Sequence, residues 1–453
     1  MKARKILCTI MALVLMLSIA AGCKRQAANP STSVPPSAAP SDSADPGKTT
    51  PGSPDVVSQG VTDDTVKIAT AGLLGGAFAY IGQPAYDGMR ACIERFNAVE
   101  GGVLGRKVEV ISFDDQYDAA TGKAYIERLV EQDKVFAFCS LFGNIVEPCL
   151  DYLKEKNIPV INISSGLDVC YSANGGGNLY QVQPANMTDA RNLITRVLHE
   201  HIFGPNKDEK LPDDAIIGVV HGTDSASMDN LAHLKEYAEQ EGAADRLMAE
   251  AVTVETYASA IQKFKNSGVS VIIFMGLDAT TWISAMDDAQ FEVPVVFSYG
   301  ASTLQSFVPD TYKPTRPCYA TIWGDYSGKA GQDMLDDMID ALSYLTDVDE
   351  ATRVSYRDNN YCVAGYAYGM VLVQALRRYN EHEGEYGLNW DDFSKIMELD
   401  DFSFGSVSFN YKDGKRMGID SMAFVEYVGN PETGEEKMIP LRGFETIEEI
   451  RAK

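Results

Sequence analysis

Short apolar runs alternate with charged segments of helical period from residue 66 onward, and this alternation restricts the chain to one fold class. Val66 to Ala71, Val108 to Phe113, Val135 to Cys139 and Ile158 to Ile163 each read as a buried strand. Between the first two, Ala85, Met89, Cys92, Ile93 and Phe96 fall at helical spacing. A second series opens with a helix over Met187 to Phe203, where Ala190, Leu193, Ile194, Val197, Leu198 and Ile202 form one apolar stripe. Ala215 to Val220, Val269 to Met275 and Pro294 to Ser298 follow as strands. Alternating strands and helices imply a parallel sheet covered on both faces, so two series predict two doubly wound α/β lobes. Long helices are expected over Lys329 to Leu345 and Asn360 to Tyr379. Ser406 to Tyr411 and Ser421 to Tyr427, with Asp413-Gly414 between them, suggest a terminal hairpin, because Asp-Gly is a tight-turn pair.

The amino-terminal stretch obeys different rules. Lys2, Arg4 and Lys5 precede an uncharged run from Ile6 to Cys23, too short for a membrane span of ~20 residues and ending in small residues, as a secretory signal does. Residues 1–22 are therefore expected to be a cleaved signal. Residues 23–60 are mostly Ser, Pro, Ala, Thr and Gly, with little apolar surface to offset ordering entropy, and read as a flexible tether. The nearly 400 residues beyond it exceed one ordinary core.

Charge and motif content exclude several functions. The formal net charge is −25, which repels phosphate backbones and anionic headgroups, so neither nucleic acid nor a basic-patch membrane contact is expected. No G-x-S-x-G, H-E-x-x-H or Cys-x-x-Cys pattern occurs, and no cofactor fingerprint is present. His199 and His201 lie two apart on a helix and diverge, so no metal site is expected. Cys92, Cys139, Cys149, Cys170, Cys318 and Cys362 fit either buried thiols or structural bridges.

Several motifs taken together resemble a known family. Val66-Lys67-Ile68-Ala69, Gly72, Gly75-Gly76, Gly82, Gly88, Asn97, the run from Gly101 to Val108, and Asp114-Asp115-Gln116-Tyr117-Asp118 resemble the opening of the leucine/isoleucine/valine-binding family of type I periplasmic receptors. Asn157-Ile158-Pro159-Val160-Ile161 with Ser164-Ser165 is similar to its fourth strand and ligand loop, and Phe409-Asn410 with Asp413-Gly414 to its end. Ala21-Gly22-Cys23 resembles a lipobox, which implies that Cys23 is acylated and that the membrane is reached through this lipid anchor alone.

The resemblance implies two lobes joined by three crossovers that close like a hinge over a ligand. Lobe 1 would comprise residues 61–184 and 325–403, lobe 2 residues 185–324 and 404–453. It further implies a monomer that is not an enzyme, needs no cofactor, and delivers a branched-chain amino acid or a related amino acid, amide or carboxylate to an ABC permease with a cytoplasmic ATPase. A receptor signalling to a membrane partner, or an exported enzyme using carboxylates such as Asp114 and Asp224, remains as an alternative.

In such receptors the ligand carboxylate meets amides and hydroxyls of two loops, here Phe142-Gly143-Asn144 and Ser164-Ser165-Gly166. Phe78 and Tyr80, in the glycine-rich turn after the first strand, are candidates to stack on ligand. In the second lobe relatives carry an aromatic where Ser225-Ala226-Ser227 stands and an acidic residue near Tyr299-Gly300-Ala301. Ser225, Asp278 and Tyr299 are the candidates there, with Asp224 or Asp278 able to pair with an ammonium. Asp114 and Asp115 are expected to cap the helix that follows them.

Overall fold

The structure is a computed structural model that describes residues 56–453 apart from 77–78, 168–169, 172–176, 207, 277, 301–315, 325–327 and 430–435. The expected signal, Cys23, nearly all of the tether and most of the 174–178 glycine loop lie outside the described residues.

Two large sheets and one two-stranded sheet are present among the described residues. The first contains β1 (Thr65–Gly72), β2 (Lys107–Asp114), β3 (Ala137–Phe142), β4 (Val160–Ser164) and β5 (Leu179–Tyr180) in the order 2-1-3-4-5, every pair parallel. The second contains β6 (Ile216–His221), β7 (Leu247–Ala251), β8 (Val269–Phe274), β9 (Val295–Phe297) and β10 (Cys318–Ile322). Their order, 7-6-8-9-10, repeats the pattern of the first sheet in parallel register. β13 (Met422–Gly429) and β14 (Glu436–Glu445) extend it antiparallel beyond β10. In either sheet the strand order reverses beside the first strand of the series, which is where α/β sheets open a crevice at their carboxyl ends.

Each sheet is buried on both faces. Val66 and Ile68 of β1 face a cluster shared with α1 (Ala79–Val99), α9 (Lys329–Leu342), α11 (Asn360–Glu381) and α12 (Trp390–Leu399). Ala69 and Ala71 point the other way, towards α2 (Ala119–Glu131) and α4 (Leu150–Lys156), as the two-residue strand period requires. The second sheet packs α5 (Asn186–His199) and α6 (Ser225–Gln240) on one face, and α7 (Tyr257–Ser267) and α8 (Ala279–Asp288) on the other. The chain passes between the sheets after β5, after β10 and after β12 (Val407–Phe409), giving two lobes and three crossings.

Several expectations need correction. β12 pairs with β11 (Phe402–Phe404), and β13 with β14, so no hairpin joins Ser406–Tyr411 to Ser421–Tyr427. Asp413 and Gly414 do turn the chain, at φ 59° and 75°, but inside a short 3-10 segment. Phe404, Val407, Phe409, Tyr411 and Ile419 pack with the first sheet's core. The carboxylate that caps α2 is Asp118, whose side chain accepts from the Thr121 amide at 2.7 Å. Asp114 and Asp115 instead accept from Gln116 and Tyr117 in tight turns. The six cysteines are buried and none forms a disulfide.

Two contacts carry much of the packing. α1 and α11 touch through backbone: a Cβ on Gly365 would sit 1.9 Å from the Ala85 carbonyl oxygen, and one on Gly88 2.2 Å from that of Cys362. In the second lobe Arg196, fully buried, pairs with Glu200 at 2.6 Å and with Glu445, and donates to the Met422 carbonyl at 3.2 Å. Glu200 also meets Arg442 at 3.0 Å and Lys453 at 2.8 Å, binding α5 to β14 and to the last residue.

Gly365→Val is expected to force the helices apart and cost at least about 1–3 kcal/mol, read as a lower urea midpoint. Arg196→Met leaves Glu200 short of its innermost partner and is expected to cost about 3–5 kcal/mol at neutral pH. Burial alone would raise the Glu200 carboxyl, but its Lys453 and Arg196 partners outweigh burial and hold it below the ordinary value. Its stabilisation is present above the ordinary glutamate value of about 4.3 and is lost as pH falls through the lower folded value. The wild-type advantage over Arg196→Met should therefore shrink on acidification, measured by denaturation at a series of pH values.

Candidate functional site

The carboxyl ends of the two sheets meet around a cavity of about 350 Å³. The first sheet contributes Phe142 from the end of β3 and Ser164 and Ser165 from the end of β4. The second contributes Asp224, Ala226, Ser227 and Asn230 at the start of α6, Met275 after β8, and Ser298 and Tyr299 after β9. Gln183 and Trp323 come from the crossings, Asn186 from the start of α5, and Asn360, Tyr361 and Tyr368 from α11. Asp224 is the one formally charged side chain among the described lining residues. A ligand here would meet hydroxyls, amides and aromatic faces, a lining suited to a small partly apolar solute.

Hydrogen bonds fix these groups across the lobes. Tyr368 Oη donates to Gln183 Oε1 at 2.8 Å, Gln183 Nε2 reaches Tyr299 Oη at 3.4 Å, and Tyr299 Oη donates to the Pro184 carbonyl at 3.0 Å. Burial raises both phenols above their ordinary value, so they remain donors. Asn162, fully buried with φ 62°, accepts the Val182 and Gln183 amides at 3.1 Å each and donates to Ser164 Oγ at 3.2 Å. Asparagine tolerates this left-handed conformation better than a branched residue would. Asn186 Nδ2 donates to the Ala226 carbonyl at 3.1 Å and to Asp229 at 2.9 Å, while its backbone N–H donates to the Gly166 carbonyl at 2.7 Å.

Asp189 lies directly beneath the second-lobe wall, fully buried. It accepts from Thr321 Oγ1 at 2.8 Å and from Asn230 at 3.5 Å, and it also interacts with Ser298 and the Tyr299 amide. Burial raises its carboxyl, and these donors oppose the rise. The carboxylate thus aims Asn230, Ser298 and Tyr299, each a lining residue. It occupies the first turn of α5, where an acidic residue reads as an ordinary dipole partner, so the sequence pattern passes over it.

The structure brings Phe142, Ser164, Ser165 and Tyr299 together on the lining. Gly143 sits behind them: a Cβ there would lie 2.1 Å from Ser165 Cβ, so the two first-lobe loops touch only because it is glycine. Gly166, at φ 69°, holds the Asn186 amide. Tyr80 is 63% exposed and edge-on to Tyr361 at 6.3 Å, on the rim outside the lining. Ser225 does not line the cavity; its hydroxyl donates to Glu147 at 2.9 Å, lobe to lobe. Asp278 caps α8, accepting the Thr281 amide at 2.9 Å and hydroxyl at 2.7 Å, and lies off the lining. Phe78, Ala301 and the Asn144 side chain lie outside the described residues.

Gln183, Asn186, Trp323, Asn360, Tyr361 and Tyr368 escaped the sequence reading. Trp323 follows β10, whose Cys-Tyr-Ala-Thr-Ile run has neither strict alternation nor a purely apolar face. The α11 residues sit just past the Asn359 cap, which accepts the Tyr361 and Cys362 amides at 2.9 and 3.1 Å.

Asp114 is held in its turn and does not reach the lining, so it forms no acid–base pair with Asp224. Asp115, pushed up to about 6 chiefly by burial, is likewise off the lining. No group of three potential ligands able to hold a metal ion occurs among the described residues. His199 pairs with Glu241 at 3.1 Å, and His201 contacts the Asp208 and Lys453 carbonyls.

Comparison with known proteins agrees with this geometry. A family model described as periplasmic binding protein matches residues 65–430. The leucine-specific-binding protein of Salmonella typhimurium is 28% identical over 106 residues, 23% of this chain and 28% of that protein. The chain thus matches little more than a quarter of that relative's length. A branched-chain amino acid ABC transporter structure from Thermus thermophilus with bound valine superposes with a TM-score of 0.67 at 13% identity, covering 87% of this chain and 100% of that one. An ABC transporter solute-binding protein from Rhodopseudomonas palustris BisB5, in complex with 3,4-dihydroxybenzoic acid, gives 0.64 at 13% identity, covering 84% and 97%. Two parallel-rich lobes meeting at a lined cavity, together with a family match over most of the described length, lead to one assignment: the chain belongs to the periplasmic binding protein family, whose members bind substrates and are not enzymes.

Proposed function

We propose that this chain is the solute-capturing component of an ABC importer, held at the outer face of the membrane by acylated Cys23. The ligand we infer is a branched-chain amino acid or a related amino acid, amide or carboxylate, taken up between the lobes and passed to a permease. The observation that carries this reading is the composition of the 350 Å³ cavity: first-lobe hydroxyls, several aromatic side chains and, among the described lining residues, one carboxylate on the opposite wall. Ser164, Ser165 and nearby backbone amides suit a ligand carboxylate without a counter-charge. Asp224, held by Ser227 Oγ at 2.6 Å, suits an ammonium across the cleft. Phe142, Trp323 and Tyr361 suit an apolar side chain. A leucine-specific relative and a valine-bound structural neighbour support the amino-acid class. Family membership implies an extracytoplasmic location, and no helix of the described residues is long and apolar enough to cross a membrane.

Thermal-shift screening against amino acids, amides, aromatic acids and small carboxylates tests the ligand class. A true ligand at a hundred times its Kd is expected to add about 2.7 kcal/mol to stability. With an amino acid as ligand, Asp224→Asn is expected to weaken binding about 10–100-fold in calorimetry, the loss of one charge-assisted bond of about 1.5–3 kcal/mol. Binding of an ammonium-free carboxylate should change little. Tight binding of a carboxylate alone, indifferent to Asp224, would remove the amino-acid reading.

The anchor is tested separately. Cys23→Ser is expected to abolish incorporation of labelled fatty acid and to shift the protein from the membrane to the soluble fraction. Retention of membrane association with no acyl label would refute the lipid anchor.

A further inference from the structure

A second cavity, of about 260 Å³, lies away from the interlobe cleft, where the last crossing runs past α5 and the short helix α13 (Ile447–Arg451). Its walls are largely apolar, with Met187 on α5 and Met417 and Ile419 on the crossing segment. Arg191, Lys415 and Arg416 add three cations to this apolar surface, in a chain whose formal charge is −25.

Arg191 makes no hydrogen bond among the described residues and has only a long ion pair. Its guanidinium carbon lies 5.4 Å from the Tyr237 ring centroid, and it pairs with Glu448 at 3.8 Å, beyond hydrogen-bond distance. Its Nε is buried with no acceptor among the described residues. A forked donor lying over an aromatic ring, with its buried Nε unanswered, is a ready partner for a carboxylate. Lys415 has no carboxylate within 4.0 Å among the described residues, whereas the neighbouring Arg416 is already spent on Glu398 at 3.1 Å and on the Gly177 carbonyl. Asp420 also lines the cavity, so the described lining carries the three cations Arg191, Lys415 and Arg416 against one carboxylate.

We propose that this cavity is a second ligand site, for a small monocarboxylate with an apolar tail. The carboxylate would sit on Arg191, with Lys415 at its side, and the tail would lie against Met187, Met417 and Ile419. The site shares no lining residue with the interlobe cleft, so it stands or falls independently of what the cleft takes.

Methionine-methyl NMR of the full-length protein separates the two sites, because Met187 and Met417 line this cavity and Met275 lines the cleft. Titration with hexanoate is expected to shift the Met187 and Met417 methyls saturably and to leave Met275 in place. Hexanol, which lacks the charge, and acetate, which lacks the tail, should each bind at least tenfold more weakly. Arg191→Gln is expected to weaken hexanoate at least tenfold. Lys415→Gln, on an exposed turn, should weaken it about threefold and serves if the arginine variant fails to fold. Shifts confined to Met275, equal binding of hexanol, or hexanoate affinity unchanged in Lys415→Gln and in any folded Arg191→Gln protein would overturn the proposal.

Discussion

A chain segment that leaves one sheet to enter another loses its ladder partners while still buried, and each unpaired amide there costs free energy comparable to a lost hydrogen bond. Residues 181–186 face this problem at the centre of the molecule. The solution is local: Gln181 pairs with the returning segment through the Arg416 carbonyl at 2.7 Å and the Gly418 amide at 3.0 Å, and Asn162 takes the next two amides on one oxygen. The same Asn162 orients Ser164, and the side chain of Gln183 joins Tyr368 to Tyr299. Satisfying the backbone of the crossing and shaping the cavity are therefore one set of bonds.

Placed on that crossing, the two lobes keep a small number of direct polar links. Ser225 to Glu147 spans the mouth of the cleft, and Asn186 joins the Gly166 loop to the start of α6. Hydrogen bonds of this sort contribute little individually, about 0.5–1.5 kcal/mol. That weakness suits a receptor, since lobes held by many strong contacts would not reopen to release a solute.

Much of this architecture is legible in the amino-acid pattern. Strands buried on both faces, such as Val269–Phe274, write themselves as continuous apolar runs, and helices such as α5 as stripes. What escapes is governed by long-range pairing. β7 is an edge strand with half-buried side chains, and β14 is held by antiparallel contact with β13, so neither carries a strong local signature. The Asp-Gly pair promised a hairpin, yet β12 found its partner upstream in β11, because Phe402, Phe404, Val407 and Phe409 are buried together in the first-lobe core. At the site, the serine loops were legible because they end strands of a recognisable series. Asp189, Gln183 and Tyr368 were not, since a buried polar residue inside a helix or linker acquires meaning from partners more than a hundred residues away.

The buried cysteines carry a consequence for how the molecule is made. Cys139 and Cys362 have their thiols raised well above ordinary values by burial, and Cys149 is pushed up to about 11 for the same reason. Such groups hold almost no thiolate at neutral pH and are poor substrates for oxidation or exchange. The lobes, with all six described cysteines unpaired, thus contain no sulfur–sulfur bond that an oxidant would have to form or a bond-shuffling catalyst to correct.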